Sequence, residues 1–328
     1  MTPNRWTIAI TAGDLSPPCG PTLIMQGRGN VNYSDFKDIT VVQRFKPDHD
    51  DLIYKGIRAV LHPQGRFQTA LVHITKFRIA TLSSIATALT HLMPDGILII
   101  DGQKTEGIET TLKHLRQHFD IKGALSKYHG RVIWLTRPET LPPRVLDWMV
   151  PPLQKRGEYM IPCNGFSTKG PDRGSTNLIT ILPKLSGRIA DFGAGWGYIA
   201  HKALGNNASI VTMDLVEADH MMVAAAKVNV QDPRAVFHWA DVTQFSTSEP
   251  YDAILCNPPF HVGRHADPNL GCHFIWAAAR NLKPHGRLFL VANRHLPYEN
   301  TMKDAFNAVN LLGDSDGYKI YDLAKPKH

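Results

Sequence analysis

Short apolar runs alternate with amphipathic stretches through the second half of the chain. The runs are typical of buried strands and the stretches of helices, and turn residues separate them. The predicted strands are 188–191, 209–214, 235–239, 251–256, 287–292 and 318–323. The predicted helices are 176–185, 198–204, 218–230, 272–282 and 300–309. This alternation predicts an α/β fold with a doubly wound, mostly parallel sheet.

The first half shows a related but incomplete pattern. A helix, a Pro-x-Gly turn and a strand follow one another at 79–101 and again at 272–292, and a further helix and strand are predicted at 113–119 and 131–136. The likeness indicates a duplication, or two unrelated α/β units that share common turn types. The first half has no evident counterpart to the two motifs described below, so a duplicated first half would have lost its chemistry.

A proline-rich segment separates the halves. Five prolines fall within 141–163, a density that opposes regular helix and central strand. Since 328 residues suffice for two domains of ordinary size, we predict one domain over 1–150 and another over 151–328.

Composition indicates a globular protein of the cytoplasm. Hydrophobic residues make up 43% and charged residues 20%, and no apolar run approaches the ~18 residues of a membrane span. The first ten residues lack the apolar region of a secretory signal. The four cysteines are scattered without metal-ligand spacing, so we expect free thiols in a reducing compartment, with neither metal nor membrane as a partner.

The charge is positive and uneven. The formal net charge is +7, and residues 1–160 carry 20 basic and 14 acidic side chains against 16 and 15 in the remainder. A basic excess favours a polyanionic partner such as RNA or DNA.

A glycine-rich turn follows the predicted strand 188–191, with the sequence Asp191-Phe192-Gly193-Ala194-Gly195-Trp196-Gly197. Glycines at such a turn permit positive φ and let a ligand approach the backbone. A dinucleotide fingerprint has the spacing G-x-G-x-x-G, whereas this turn has G-x-G-x-G and an acid two residues before its first glycine. An acid suits a cationic ligand better than a pyrophosphate. The turn therefore favours S-adenosylmethionine and disfavours a nicotinamide oxidoreductase.

Two further carboxylates are predicted at strand ends. Asp214 would end the second strand, where a carboxylate can accept both ribose hydroxyls. Asp241 follows the third strand and would meet the adenine amino group. The predicted cofactor-binding residues are Asp191, Gly193, Ala194, Gly195, Gly197, Asp214, Leu215, Asp241, Val242, Asn257 and Ser175.

The run Asn257-Pro258-Pro259-Phe260 closes the predicted strand 251–256 and supplies the candidate catalytic residues. An exocyclic aromatic amine is a poor nucleophile, so a site must hold its two N–H bonds and turn its lone pair toward the methyl group. The Asn257 side-chain oxygen and the Pro258 carbonyl are suitable acceptors. The prolines stiffen the loop, and Phe260 can stack on a base. The run predicts a methyltransferase that acts on an amino group.

The segment 165–175 precedes the first helix of the second half. Its small and polar residues suit a loop that closes over the methionine end of the cofactor. An ordinary helix start, with Ser175 or Thr176 as the N-cap, explains part of the same pattern. The two interpretations are compatible, and both stay open.

These motifs together resemble those of a known family. The segments 165–167, 172–175, 191–197, 257–261 and 291–298 are similar to the bacterial ribosomal RNA guanine-N2 methyltransferases, above all the small-subunit (RsmC) type of the class I S-adenosylmethionine-dependent superfamily. The likeness covers 161 to about 325, and extends more weakly through 102–108 and 125–130.

The resemblance implies two tandem Rossmann-like methyltransferase domains, each ending in an antiparallel strand. The N-terminal domain would be degenerate and would assist RNA binding or folding. The C-terminal domain would bind S-adenosylmethionine and methylate N2 of a guanosine in 16S rRNA, within a small ribosomal subunit or its assembly intermediate. Large-subunit guanine-N2, adenine-N6 and protein glutamine-N5 methyltransferases remain alternatives, and so does a non-catalytic ribosome-assembly factor that binds RNA.

Overall fold

The computed structural model describes residues 3–163, 167–259, 261–262, 265–266 and 268–327. The chain divides into two compact units, Met1–Pro151 and Pro152–His328.

The first unit is built on one seven-stranded sheet. Its helices are α1 (Arg5–Thr11), α2 (Lys46–Tyr54), α3 (Arg78–His91), α4 (Ile108–Leu115) and α5 (Pro143–Leu146), with a 3₁₀ turn at Lys104–Glu106. Its strands are β1 (Pro21–Met25), β2 (Lys37–Val42), β3 (Arg58–Val60), β4 (Phe67–His73), β5 (Leu92–Gln103), β6 (Ile121–Lys127) and β7 (Gly130–Thr136). The sheet order is β3-β2-β1-β4-β5-β7-β6. β7 is antiparallel to both β5 and β6, and the pairs among the first five strands are parallel.

The second unit repeats this plan. Its helices are α6 (Arg173–Ile181), α7 (Tyr198–Asn206), α8 (His220–Asn229), α9 (Pro268–Asn281) and α10 (Glu299–Ala305). Its main strands are β10 (Gly187–Phe192), β11 (Ile210–Glu217), β12 (Ala235–Trp239), β13 (Tyr251–Cys256), β16 (Leu282–Asn293), β17 (Phe306–Ser315) and β18 (Tyr318–Pro326). Two small hairpins, β8 (Leu153–Arg156) with β9 (Tyr159–Pro162) and β14 (His261–Val262) with β15 (His265–Ala266), stand outside the main sheet.

The main sheet of the second unit has the order β12-β11-β10-β13-β16-β18-β17, strand for strand that of the first. Its first five strands are parallel and β18 is antiparallel to both neighbours. The predicted fold class, two Rossmann-like domains with an antiparallel strand near the end of each sheet, is confirmed.

The side chains of successive residues of the central strand β10 pack on opposite faces of this sheet. Ile189 packs in one apolar core with α7, whereas Ala190 and Phe192 pack in another with α9. Because both faces are covered, a parallel strand of this kind is apolar throughout. The buried exception is Asp191, the last residue but one of the strand.

The predicted helix 300–309 is wrong in its second half. α10 ends at Ala305, and Phe306 begins a ten-residue strand that pairs with β18. Asp316 and Gly317 make the turn of this hairpin with positive φ. Strand pairing outweighs the local helix preference here, because it buries Phe306 and satisfies the backbone of an otherwise free edge.

The second strand of the unit is longer than predicted. β11 continues to Glu217, three residues beyond the predicted end at Asp214. Asp214 pairs with Ala190 in the body of the sheet, and Val216 is level with Phe192, the last residue of β10. The acidic residue at the carboxyl edge is therefore Glu217.

The first unit does contain a counterpart to the glycine turn, contrary to the sequence prediction. Gln26-Gly27-Arg28-Gly29 follows β1 as the Gly193 turn follows β10. An added Cβ at Gly27 would lie 2.3 Å from Val41 Cγ1, so packed side chains fill the space beside this turn.

Among the helices that the structure describes, none combines the length and apolar character that a membrane-spanning segment needs. The described residues also hold no group of three or more His, Cys, Asp or Glu side chains placed to bind a metal ion.

Candidate active site

The glycine turn between β10 and α7 leaves space at one residue and is packed at another. Gly193, Gly195 and Gly197 have φ of 76°, 55° and 91°, values that residues with a side chain rarely adopt. An added Cβ at Gly195 would meet no atom within 4 Å, whereas one at Gly197 would lie 2.8 Å from Val230 Cγ2. Gly197 therefore lets α7 pack close to the end of α8, while Gly195 leaves room for a ligand.

The turn lies beside the loop that follows β13. β10 and β13 are parallel neighbours, with Phe192 level with Cys256. A Cβ on Gly193 would lie 3.9 Å from the backbone oxygen of Asn257. A pocket between them is lined by Ser167, Asp172, Ser175, Gly193, Ala194, Gly195, Trp196, Tyr198, Ile199 and Asn257. The structure thus brings the two sequence motifs together at one edge of the sheet.

The side-chain amide of Asn257 is held by two acceptors. Its Nδ2 donates to Asp172 Oδ2 at 3.0 Å and to Ser175 Oγ at 2.9 Å. Both amide N–H groups are thereby used, so Asn257 presents Oδ1 as an acceptor only. No described residue donates a hydrogen bond to this oxygen.

Asp172 links α6 to the loop that begins at Asn257 after β13, here called the acceptor loop. Its Oδ2 also accepts the backbone N–H of Ser175 at 3.1 Å, which makes Asp172 the N-cap of the helix. Tyr318 donates to Oδ1 at 3.4 Å. The prediction that Ser175 or Thr176 caps this helix is wrong, because the helix begins at Arg173. An aspartate three residues before Ser175 is an N-cap signal that sequence reasoning missed.

The prolines of the acceptor loop differ in exposure. Pro258 is buried and Pro259 is exposed. Phe260 lies outside the described residues, so its stacking role stays a prediction. Pro258 and Pro259 are not among the residues that line the pocket.

Asp191 is fully buried, and neither of its carboxylate oxygens has a hydrogen-bond partner among the described residues. Burial, and secondarily the nearby carboxylate of Glu217, raise the pKa of Asp191 to about 8. An unpaired buried carboxylate is costly to a fold, and functional sites are where such groups occur.

Glu217 binds the glycine turn directly. Its Oε2 accepts the backbone N–H of Gly195 at 2.9 Å, and its Oε1 accepts that of Asp219 at 2.8 Å. Burial is the main cause that raises the pKa of Glu217 to about 7. Sequence reasoning missed Glu217 because it ended the strand at Asp214.

Asp214 and Leu215 lie within the sheet, away from the edge. Asp214 accepts a hydrogen bond from the Tyr251 hydroxyl at 2.6 Å and lies 3.1 Å from His238 Nε2. Burial alone would raise the pKa of Asp214, but these bonds and the Arg188 charge hold it below its ordinary value. Leu215 is 1% exposed and packs in the core. The ribose-binding role of Asp214 was predicted on the assumption that the strand ends there. The strand ends at Glu217, so that argument no longer applies to Asp214.

Asp241 and Val242 follow β12. Asp241 Oδ1 accepts both the backbone N–H and the hydroxyl of Thr243, each at 2.8 Å. The Val242 side chain is 2% exposed and packs in the core. Neither residue lines the pocket at Asn257, and their contact with adenine stays a prediction.

Comparison with known proteins agrees with the motifs. Residues 160–322 match the family described as Methyltransferase small domain. Ribosomal RNA small subunit methyltransferase C of Shewanella pealeana is 32% identical over 79% of this chain and 78% of its own. The protein of the same name from Shewanella piezotolerans is 32% identical over 81% of this chain and 79% of its own.

The chain belongs to the ribosomal RNA small subunit methyltransferase C family. The family resemblance inferred from the motifs is thereby confirmed. A solved structure of the T. thermophilus 16S rRNA N2 G1207 methyltransferase (RsmC) superposes with a TM-score of 0.79, covering 95% of this chain and 90% of that one at 22% identity. At this identity the likeness bears on the fold, and it extends over both units.

Proposed function

We propose that this member of the methyltransferase C family transfers a methyl group from S-adenosylmethionine to the exocyclic N2 of a guanosine in 16S rRNA. The observation that carries the proposal is the fixed amide of Asn257 beside the glycine turn. Its nitrogen donates to Asp172 and Ser175, so the atom left for a substrate is the amide oxygen, a hydrogen-bond acceptor.

An acceptor at this place selects an amino group. The N–H bonds of an exocyclic amine can donate to Asn257 Oδ1, whereas a carbonyl or ring nitrogen without hydrogen cannot. Held in this way, the amine directs its lone pair toward the electrophile and away from the ring. The nitrogen becomes cationic on methylation and loses its proton afterwards, so no strong general base is needed.

The residues beside the turn fit S-adenosylmethionine. Asp191 is a buried carboxylate without a partner, which suits a ligand that carries positive charge. Gly195 leaves open space where any side chain would intrude. Bound here, S-adenosylmethionine supplies an electrophilic methyl group on a cationic sulfur.

We assign its binding to Asp191, Gly193, Ala194 and Gly195 of the turn, together with Ser175. In place of Asp214 and Leu215, we propose that Glu217 accepts the ribose hydroxyls, because it is the acid at the strand end. The backbone N–H groups of Gly195 and Asp219 hold its carboxylate in place.

The choice of guanosine in small-subunit RNA draws on the relatives. The Shewanella proteins are named small subunit methyltransferases, and the T. thermophilus structure contains AdoMet and guanosine. The substrate would be a small ribosomal subunit or its assembly intermediate.

We further propose that catalysis resides in 151–328 and that 1–150 binds RNA. In the first unit, the loop segments 44–46, 76–78, 104 and 127–129, at the carboxyl ends of strands, carry six lysines and arginines. The acids nearby, Asp50 and Glu106, are paired with Lys46 and Arg28. The same loops expose aromatic rings at Phe45 and Tyr128, which are 46% and 49% accessible. Cations interleaved with exposed rings suit a phosphate backbone and unpaired bases.

The test is transfer of tritium from labelled S-adenosylmethionine into unmodified small-subunit RNA and into subunits, followed by nucleoside digestion. We expect the label in N2-methylguanosine. Label only in N6-methyladenosine would refute the base assignment. Label only in a glutamine of an added release factor would refute the RNA assignment. Preference for large-subunit RNA would refute the 16S assignment, and absence of cofactor binding in equilibrium dialysis would favour an assembly factor.

A further inference from the structure

A second pocket lies on the exposed side of α9. One wall is the loop 243–246, and the other is formed by His273, Trp276 and Arg280. None of these residues lines the pocket at Asn257, and none carries a negative charge.

The three helical residues form a single stripe. Positions 273, 276 and 280 share one face of a helix, and each is exposed while the residues between them are buried. Trp276 leaves 37% of its surface accessible. A large aromatic ring exposed between His273 and Arg280 is available for contact with a planar partner.

The pocket is held in place by its surroundings. Phe245 packs against the core, with its ring centroid 6.0 Å from that of Phe192 and 5.2 Å from that of His238. Arg280 Nη2 donates to the carbonyl of Thr243 at 2.9 Å, which ties the guanidinium to the loop wall. A preformed pocket loses little entropy when it binds a ligand.

The chemistry of the pocket matches a nucleobase. An indole face offers stacking to any base, Arg280 supplies positive charge for a phosphate, and the side chains of Gln244 and Ser246 offer donors and acceptors. The helix begins at Pro268, shortly after the acceptor loop, and Trp276 lies about 12 Å along its axis from that start. The helix also passes beside Asn257, because Phe274 Cε1 and the Asn257 backbone oxygen both lie within 4 Å of a Cβ built on Gly193. This is the arrangement that an RNA single strand with its target at Asn257 needs in order to continue along α9.

We propose that this pocket binds a nucleobase of the RNA substrate that neighbours the methylated nucleotide. The inference rests on the proposed function, since it concerns how the same RNA extends beyond the acceptor loop. It adds a subsite that grips RNA without touching the reacting atoms.

The variants Trp276→Ala, Trp276→Phe and Arg280→Gln test it, with Val211→Ala as the control. Val211 is 65% exposed near the start of β11, at the opposite edge of the same sheet. We expect Trp276→Ala to raise the KM for small-subunit RNA about 10-fold, with kcat and the Kd for S-adenosylmethionine unchanged. Trp276→Phe should keep most of the affinity, Arg280→Gln should lose part of it, and Val211→Ala should match the parent chain.

An unchanged KM for RNA in Trp276→Ala would overturn the subsite. An equal loss of S-adenosylmethionine affinity would also overturn it, by making the pocket part of the cofactor site. Direct RNA binding without cofactor separates this inference from the catalytic one. If the parent chain transfers no methyl group, weaker RNA retention on filters by Trp276→Ala than by Trp276→Phe still supports the subsite, and equal retention refutes it.

Discussion

At the scale of single residues, the chemistry that we propose depends on which end of the Asn257 amide faces the pocket. Asp172 and Ser175 settle this by accepting both N–H groups. An amide with one end satisfied inside the protein is fixed before the substrate arrives, which is the condition for efficient orientation.

Replacing Asn257 by Ala removes this acceptor and leaves the glycine turn intact. We expect kcat to fall about 100-fold, in the range found when a positioned polar group is deleted from an active site. The Kd for S-adenosylmethionine should change less than about threefold, since Asp191 and Gly195 remain. Asn310→Ala, at an exposed position of β17, is the control. Loss of cofactor binding in Asn257→Ala would show that this residue holds the cofactor.

The buried carboxylate of Asp191 predicts a pH-dependent affinity. Its raised pKa of about 8 means that the empty site is largely protonated at pH 7, and a cationic ligand favours the ionised form. The ratio of parent affinity to Asp191→Asn affinity should therefore rise from pH 6 to pH 8 and level off above. Because both proteins bind the same ligand, its own titration cancels from the ratio. Calorimetry at several pH values measures this, and a flat ratio would exclude Asp191 as the titrating contact.

Sequence reasoning located Asp191, Gly193 and Asn257 because glycine turns and Asn-Pro-Pro runs are local signals. It missed Glu217 because the end of a buried strand has no local signal when apolar and acidic residues alternate, as they do from Asp214 to Glu217. Only the pairing with β10 shows which acid reaches the edge. Asp172 was missed for a similar reason, since its partner Asn257 is 85 residues away in the chain.

At the scale of elements, the glycine turn offers a matched pair of substitutions. Gly195→Ala and Gly197→Ala each place an alanine in a left-handed backbone conformation, which costs the folded state roughly 1–2 kcal/mol. Gly197→Ala also drives a Cβ to within 2.8 Å of Val230, so it should lower the free energy of unfolding further. Gly195→Ala should chiefly weaken S-adenosylmethionine binding. Thermal unfolding and equilibrium dialysis separate the two effects, and equal effects in both assays would contradict these separate roles.

The strand β6 offers a matched pair of lysines that tests the RNA surface proposed for the first unit. Lys127 ends the strand at the carboxyl edge of the sheet, and Lys122 lies near its start at the opposite edge. Lys127→Gln should raise the KM for RNA and reduce the slope of log affinity against log salt by about 1, while Lys122→Gln should change neither. Equal changes in the two variants would mean that RNA binding depends on the net charge of the unit and not on the position of the lysine.

Element type was predictable where apolar period and turn residues agreed, as at 235–239 and 251–256, which match β12 and β13. The prediction failed at 306–309, where the sequence has a helix pattern but the residues form a strand. The partner of this strand is β18, which follows it across a hairpin turn. No regular helix or strand pattern is evident in the sequence of residues 1–44. They form α1, β1 and β2, whose pairing depends on strands later in the chain.

At the scale of the whole molecule, two sheets of one strand order carry different side chains at matched positions. Strand register relates their positions: Ile24 in the first unit stands where Asp191 stands in the second, Gln43 where Glu217 stands, and His73 where Asn257 stands. At these matched positions the first unit has neither a buried carboxylate nor a strand-end acid. His73 is buried and bonded to the hydroxyl of Tyr33 at 3.1 Å, so it is also occupied within its own unit.

This comparison predicts that each chain binds one molecule of S-adenosylmethionine. In the first unit, Val41 fills the space beside Gly27, and the apolar Ile24 offers nothing to a cation. Calorimetric titration of the full chain should give a stoichiometry near one. Glu217→Gln should weaken that single event, because it replaces one of the two acceptor oxygens by an amide donor. A second event that survives unchanged in Glu217→Gln would place a working site in the first unit. In that case the filled turn at Gly27 would have to open on binding, and the degenerate character inferred from its packing would be wrong.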